Sequence, residues 1–238
     1  MVKHLHQARR RFARISRFSS IAAVAACLAT AIPAGFAQSR RPQIEVTLER
    51  KDAKGWKAVD PNLVLESGDV IRFRFKSSFD GYLYVTDYGT SGQYLLLFPR
   101  EETGRQNLVK ASKEYLVPST EAHFRISGPA GYESVYWLVS PVALGNPMDL
   151  TPQRPSNYRP PRLQPRCDDT AMRARGLCLD TLAGPRAIGQ NDAVPESLEK
   201  VKSKSRELTI VQQENQSVVS PAGPGAAPIL YEFRLAHK

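Results

Sequence analysis

From Ile44 onward apolar and polar residues alternate along the chain. Ile44-Glu45-Val46-Thr47-Leu48 places an apolar residue at every second position, and Ile71-Arg72-Phe73-Arg74-Phe75 repeats the pattern with arginines between. A period of two sends successive side chains to opposite faces of a strand, so each segment predicts one buried and one wet face, with Arg72 and Arg74 toward water. Between them lies a loop with Asp52, Gly55 and Asp60-Pro61, in which Trp56 is expected to cap the core, and Gly68-Asp69 forms a turn. Asp80-Gly81 opens a hairpin-like unit: a strand over 82–88, a turn at Gly89-Thr90-Ser91-Gly92, and a strand over 94–98 ended by Pro99. The run Tyr94-Leu95-Leu96-Leu97-Phe98 is continuously apolar, which predicts a strand covered on both faces or central in its sheet. Further short strands are predicted over 114–117, 123–126 and 133–140, separated by Pro118-Ser119-Thr120 and Gly128-Pro129-Ala130-Gly131. Short strands at a spacing of about ten residues, without a helical period, predict an all-β, immunoglobulin-like antiparallel β-sandwich over residues 38–143.

The pattern then changes. Residues 147–165 hold six prolines and no apolar periodicity. Each proline removes a backbone donor and fixes φ, so this stretch predicts an extended connector. It opens a proline-rich, loop-dominated excursion over 144–207, which also contains a cysteine loop and a short helix within 195–206, where Glu196 and Lys200 lie one turn apart. Strand chemistry returns at 208–212 and 229–236. The run Ile229-Leu230-Tyr231-Glu232-Phe233-Arg234-Leu235 is too apolar to float free, so residues 208–238 are expected to rejoin the sandwich.

Composition changes the picture chiefly at the N-terminus. Of the 33 basic residues, six lie within residues 1–37 beside no acid, leaving 27 basic against 23 acidic residues in the remainder. The whole-chain excess of +10 therefore reflects a leader rather than a nucleic-acid surface, and no nucleic-acid partner is expected. Basic residues up to Arg17, an apolar stretch from Ile21 to Ile32 and small residues at Gly35 and Ala37 form the layout of a signal peptide over 1–37, cleaved after Ala37. The apolar part runs for only about a dozen residues, short of the ~20 that span a bilayer. Arg9-Arg10-Arg11-Phe12 resembles a twin-arginine export motif, and Val24-Ala25-Ala26-Cys27 a lipoprotein box that would anchor the chain through an acylated Cys27. Without the leader only Cys167 and Cys178 remain, an even pair that predicts one disulfide in an oxidising compartment such as the periplasm. Hard Asp168 and Asp169 neighbours, no nearby histidine and the wrong spacing argue against a zinc site.

Several turns taken together carry a resemblance. Gly68-Asp69, Asp80-Gly81-Tyr82-Leu83-Tyr84-Val85, Leu97-Phe98-Pro99, Asn107-Leu108-Val109, Val117-Pro118 and Gly128-Pro129-Ala130-Gly131 before Val139-Ser140 resemble, in order and spacing, the bacterial domain of unknown function 4384 over roughly residues 65–143. Arg100 stands where that pattern usually has Asn, and Ala111-Ser112 where it has a small residue and Gly. The resemblance implies a β-sandwich module found on exported or envelope-facing proteins. It implies no catalytic residue.

Candidate chemistry is sparse. No Gly-x-Ser-x-Gly elbow, phosphate loop or His-Glu-x-x-His helix occurs. Of the histidines beyond the leader, His123 is read as a strand residue and His237 as part of a solvated tail. Glu101-Glu102 and Asp168-Asp169 read as solvated pairs, with Asp80 and Asp87 slightly better placed for two-carboxylate chemistry. The most suggestive cluster is aromatic: Tyr82, Tyr84 and Tyr88 fall on one strand face, with Tyr94 on the next strand, as a platform for sugar rings or a partner protein. Cross-strand stabilisation within the sheet explains the same residues without any ligand. The expectation is a non-enzyme with no cofactor or metal: an exported accessory or interaction module of the bacterial cell envelope, engaging a protein partner through a sheet edge or loops. The alternative is a carbohydrate or peptidoglycan binder using the tyrosine platform. Contact with the membrane is expected only in passing, through the signal peptide, unless Cys27 is lipidated.

Overall fold

The computed structural model describes residues 41–100, 106–145, 163–223 and 227–238. The signal peptide, the twin-arginine and Cys27 motifs, Glu101-Glu102 and most of the proline-rich connector lie outside them. The described residues belong to one unit, Ser39–Lys238. Its elements in chain order are β1 (Ile44–Asp52), β2 (Gly55–Ala58), β3 (Val70–Ser77), β4 (Gly81–Tyr88), β5 (Tyr94–Phe98), β6 (Leu108–Val109), β7 (Glu114–Val117), β8 (Phe124–Arg125), β9 (Gly131–Ser140), α1 (Thr170–Ala174), β10 (Gly184–Ala187), α2 (Glu196–Lys202), β11 (Leu208–Gln213), β12 (Gln216–Pro221) and β13 (Ile229–His237).

Two antiparallel sheets pack face to face, forming the all-β sandwich that the alternation predicts. The first runs β11-β12-β1-β3-β7, with β2 on β1 and β8 on β3; the second runs β10-β13-β9-β4-β5, with β6 on β4. The strict alternation of β3 is realised as predicted: Ile71, Phe73 and Phe75 are fully buried between the sheets, while Arg72 and Arg74 lie on the outer face. There they close on Glu49 of β1, Arg72 Nε at 2.7 Å and Arg74 alongside. Trp56 does not cap the core. Its cross-strand partner is Lys51, an outward position of β1, so the indole sits on the outer face with the Arg72 guanidinium 4.2 Å from its ring centroid.

Between the sheets the core is aromatic at its centre. Trp137 meets Phe73 edge-on at 5.2 Å and is stacked between Phe75 and Tyr231 at 5.8 and 6.1 Å. Burial of rings of this size supplies the largest single apolar contribution to such a core.

The C-terminal strands are integral to both sheets. β13 lies between β9 and β10, paired with β9 from Ile229↔Val139 to His237↔Gly131, and β12 pairs with β1. The run Tyr94–Phe98, expected to be central or doubly covered, is instead the edge of the second sheet, bonded among the described residues to β4 alone, with Leu95 49% exposed. It is apolar because Leu97 and Phe98 reach the main core while Tyr94 packs on the opposite face of the sheet.

A third layer covers that opposite face. Val194 before α2, and Leu198 and Val201 within it, pack against Tyr84, Tyr88, Tyr136, Leu138 and Leu230. Glu232, 2% exposed on the same face, holds β10 in place: it accepts from Arg186 Nε at 2.5 Å, Arg234 Nε at 3.1 Å and Ser134 Oγ at 2.7 Å. Cys167 and Cys178 are joined by a disulfide. The loop they close is docked through Asp180, which is fully buried and accepts from Tyr132 Oη, the Arg166 amide and the Leu182 amide.

Candidate functional site

The strands of the second sheet determine where polar groups can enter the sandwich. Alternation directs Leu83, Val85 and then Asp87 of β4 inward; in β9 the inward row read toward its start is Val139, Val135 and Glu133; in β13 it is Phe233, Leu235 and His237. Three adjacent apolar rows therefore each end in a titratable residue at one end of the sheet. Glu133 and His237 meet there, Nε2 to Oε1 at 2.9 Å. Thr90, in the turn after β4, donates its amide to both Glu133 oxygens at 3.1–3.2 Å and its hydroxyl to Oε1 at 2.8 Å. A Cβ at Gly89 would lie 2.6 Å from Glu133 Oε2, so a larger residue there would have to displace that carboxylate.

Asp87 is treated differently. Its Oδ1 is buried without a hydrogen-bond partner. Burial, and secondarily the charge of Glu133, push the Asp87 carboxyl well above the usual carboxylate range. His237, 1% exposed, is likewise satisfied only at Nε2, its Nδ1 having no partner. It is a core residue and not a solvated tail: Leu65 forms a parallel bridge to it and ties the chain end across the sandwich.

These carboxylates line a cleft of about 450 Å³ that opens between the sheets on the β5 side. Ile71, Phe73, Phe124, Leu97 and Val135 form its walls, Leu95 stands at its mouth, and His123 and Arg125 flank it from the first sheet. The opposite side of the sandwich is closed by the approach of β10 to β11. The cleft thus combines an apolar wall, the edge strand of the described second sheet and two neighbouring acids. Chemically it can hold a cationic group, or hold and release a proton at Asp87. Among the described residues no group of three or more His, Cys, Asp or Glu is arranged to hold a metal ion.

The tyrosine platform is not available as an exposed surface. Tyr82, Tyr84 and Tyr88 do share a face, but Tyr84 and Tyr88 are 2% and 3% exposed beneath Val194 and Leu198. Tyr84 Oη accepts from the Leu144 amide, and Tyr94 Oη lies 3.0 Å from Thr86 Oγ1 and 3.2 Å from Ser197 Oγ. The rings are core of a third layer that strand periodicity alone could not reveal. The other carboxylates weighed from the sequence have structural roles: Asp169 caps α1 by accepting from the Met172 amide, Asp168 accepts from Thr181, and Asp80 accepts from the Ala111 amide and Lys110. The sequence reading does not single out Glu133 and takes His237 for a solvated tail, although extending the period of two by one step in Val139, Trp137, Val135 and in Phe233, Leu235 points at both.

Residues 64–143 match the model of the Domain of unknown function (DUF4384). The DUF4384 segment spans β3 to β9 and contributes Asp87, Leu95, His123 and Glu133 to the cleft, whereas Leu235 of the cleft and His237, which meets Glu133, come from beyond it. No curated protein and no solved structure matches the chain.

Proposed function

We propose that this protein is an exported, non-catalytic interaction module of the bacterial cell envelope, binding a protein partner along the open β5 side of the sandwich. The observation that carries this reading is the edge itself. Among the described residues β5 is bonded on one side only, and its sequence Tyr-Leu-Leu-Leu-Phe contains none of the charges or prolines that commonly guard an edge. An extended partner segment can add to such an edge by main-chain hydrogen bonds while its alternate side chains enter the cleft. The three-part layout of residues 1–37 and the Cys167–Cys178 disulfide support export to an oxidising compartment. Among the described residues no helix is long and apolar enough to cross a membrane. The glycan alternative loses its support with the burial of Tyr84 and Tyr88.

A photo-crosslinking residue at position 95, with a second at exposed Val211 as the control on the other sheet, tests the reading in intact envelopes. A reproducible adduct at 95, absent at 211 and lost when Lys replaces the neighbouring Leu96, is the expected result. Adducts at both positions alike, or at neither, overturn it, and mass spectrometry of the mature N-terminus decides between Gln38 and an acylated Cys27.

A further inference from the structure

The fold pairs its other buried acids with care. Glu49 lies between Arg72 and Arg74, Glu232 between Arg186 and Arg234, and Asp180 accepts three hydrogen bonds. The acids of the cleft break that habit. Glu133 is met by a threonine and a histidine, and Asp87 keeps a buried oxygen with no partner, although an ionised carboxylate in such surroundings is costly unless paired. Arg125, which also lines the cleft, directs Nη1 to the Gly68 carbonyl at 3.1 Å. His123, on the same flank, has its ring 6.3 Å from that of Trp56.

Resting on the interaction reading above, we propose that the partner segment seated on β5 inserts a lysine or arginine side chain into the cleft. Its aliphatic stem lies along Leu95, Leu97 and Phe124, and its cationic head takes up Asp87 and Glu133. Three independent features converge on that chemistry: apolar walls suited to a methylene stem, two carboxylates suited to its charge, and a strand edge, unpaired among the described residues, that delivers the backbone in register. A cleft of about 450 Å³ accommodates a long side chain of this kind, and half-exposed Leu95 marks its entrance. An anionic side chain would be repelled by Asp87 and Glu133, and a purely apolar one would leave Asp87 Oδ1 without a partner.

The test uses the mature full chain, labelled for NMR, and a capped peptide of alternating valine and threonine with one central lysine, against the same peptide with norleucine in that place. The lysine peptide is expected to bind about tenfold more tightly, since a charge-assisted bond replaces an unsatisfied group, with amide shifts at Leu95 and in the 89–93 turn. Asp87→Asn and Glu133→Gln, each checked for a native spectrum, are expected to remove that preference while leaving norleucine binding unchanged. Equal affinity for the two peptides overturns the cationic side chain but leaves the β5 edge standing. Binding of neither peptide, with a crosslink at position 95 still present, also overturns it, whereas loss of the crosslink itself overturns the function on which it rests.

Discussion

At the scale of single residues, Asp87 carries the clearest consequence. Its carboxyl is pushed well above the ordinary 3.8, first by burial and then by Glu133, so the folded state prefers the protonated form more strongly than the unfolded chain does. The sign follows from linkage: this contribution to stability is fully present below the unfolded value and is lost as pH rises through the raised folded value. At neutral pH the burial of Asp87 therefore costs the fold stability. Asp87→Asn removes that penalty, so urea unfolding is expected to show the variant more stable than the parent at pH 7, with the gap closing toward pH 4. A variant less stable than the parent at pH 7 would mean that Asp87 is ionised and satisfied. Glu49 provides the contrast, its carboxylate held by two arginines on the outer face of the first sheet.

Among the elements, the short ones decide what the long ones expose. The seven residues of α2 carry Leu198 onto the tyrosine face of the second sheet and convert a plausible platform into core. The disulfide acts in the same region. The loop from Cys167 to Cys178 carries α1 and is anchored to β9 through the Tyr132–Asp180 hydrogen bond, and the Val64 amide donates to the Cys178 carbonyl. Closing a loop of this length stabilises by about 2–3 kcal/mol through restriction of the unfolded chain. The Cys167→Ser, Cys178→Ser double variant is therefore expected to lose about that much in urea unfolding while keeping the β-sheet circular dichroism of the parent. Unchanged stability would show the loop to be independent of the sandwich. At the same scale β5 shows why a continuously apolar run misleads: its two faces meet two different layers while its outer edge is unpaired among the described residues, and composition records faces but not edges.

For the whole molecule, the boundary of the DUF4384 segment does not coincide with the boundary of the fold. Within residues 64–143, β3 lacks β1 and β9 lacks β13, so each sheet is cut between strands that pair along their lengths. The cut also removes Ile44, Val46, Leu48, Tyr231 and Phe233 from the core. A fragment of residues 64–143 is expected to show poorly dispersed amide resonances and no cooperative thermal transition, while residues 38–238 show both dispersion and cooperativity. Cooperative unfolding of the fragment would mean that the segment can close its sheets by another pairing. The same topology explains why the cleft belongs to more than the matched segment, since His237 reaches Glu133 only when β13 is in place.

Alternation in segments such as Ile44–Leu48 and Ile71–Phe75, punctuated by glycine and proline turns, was enough by itself to determine strands, buried faces and an all-β sandwich, because a period of two is a local property of the backbone. The pairing of Cys167 with Cys178 was legible too, from parity and compartment. Tertiary structure alone decided which strand lies at an edge, which face of the second sheet is covered, and that Asp87, Glu133 and His237 meet. Those facts depend on strands distant in sequence becoming neighbours, and on a helix of the excursion settling over a face whose tyrosines read the same whether wet or buried. A titratable residue ending one inward row is an ordinary strand terminus; three such rows side by side, at the edge strand of the described sheet, make a candidate site.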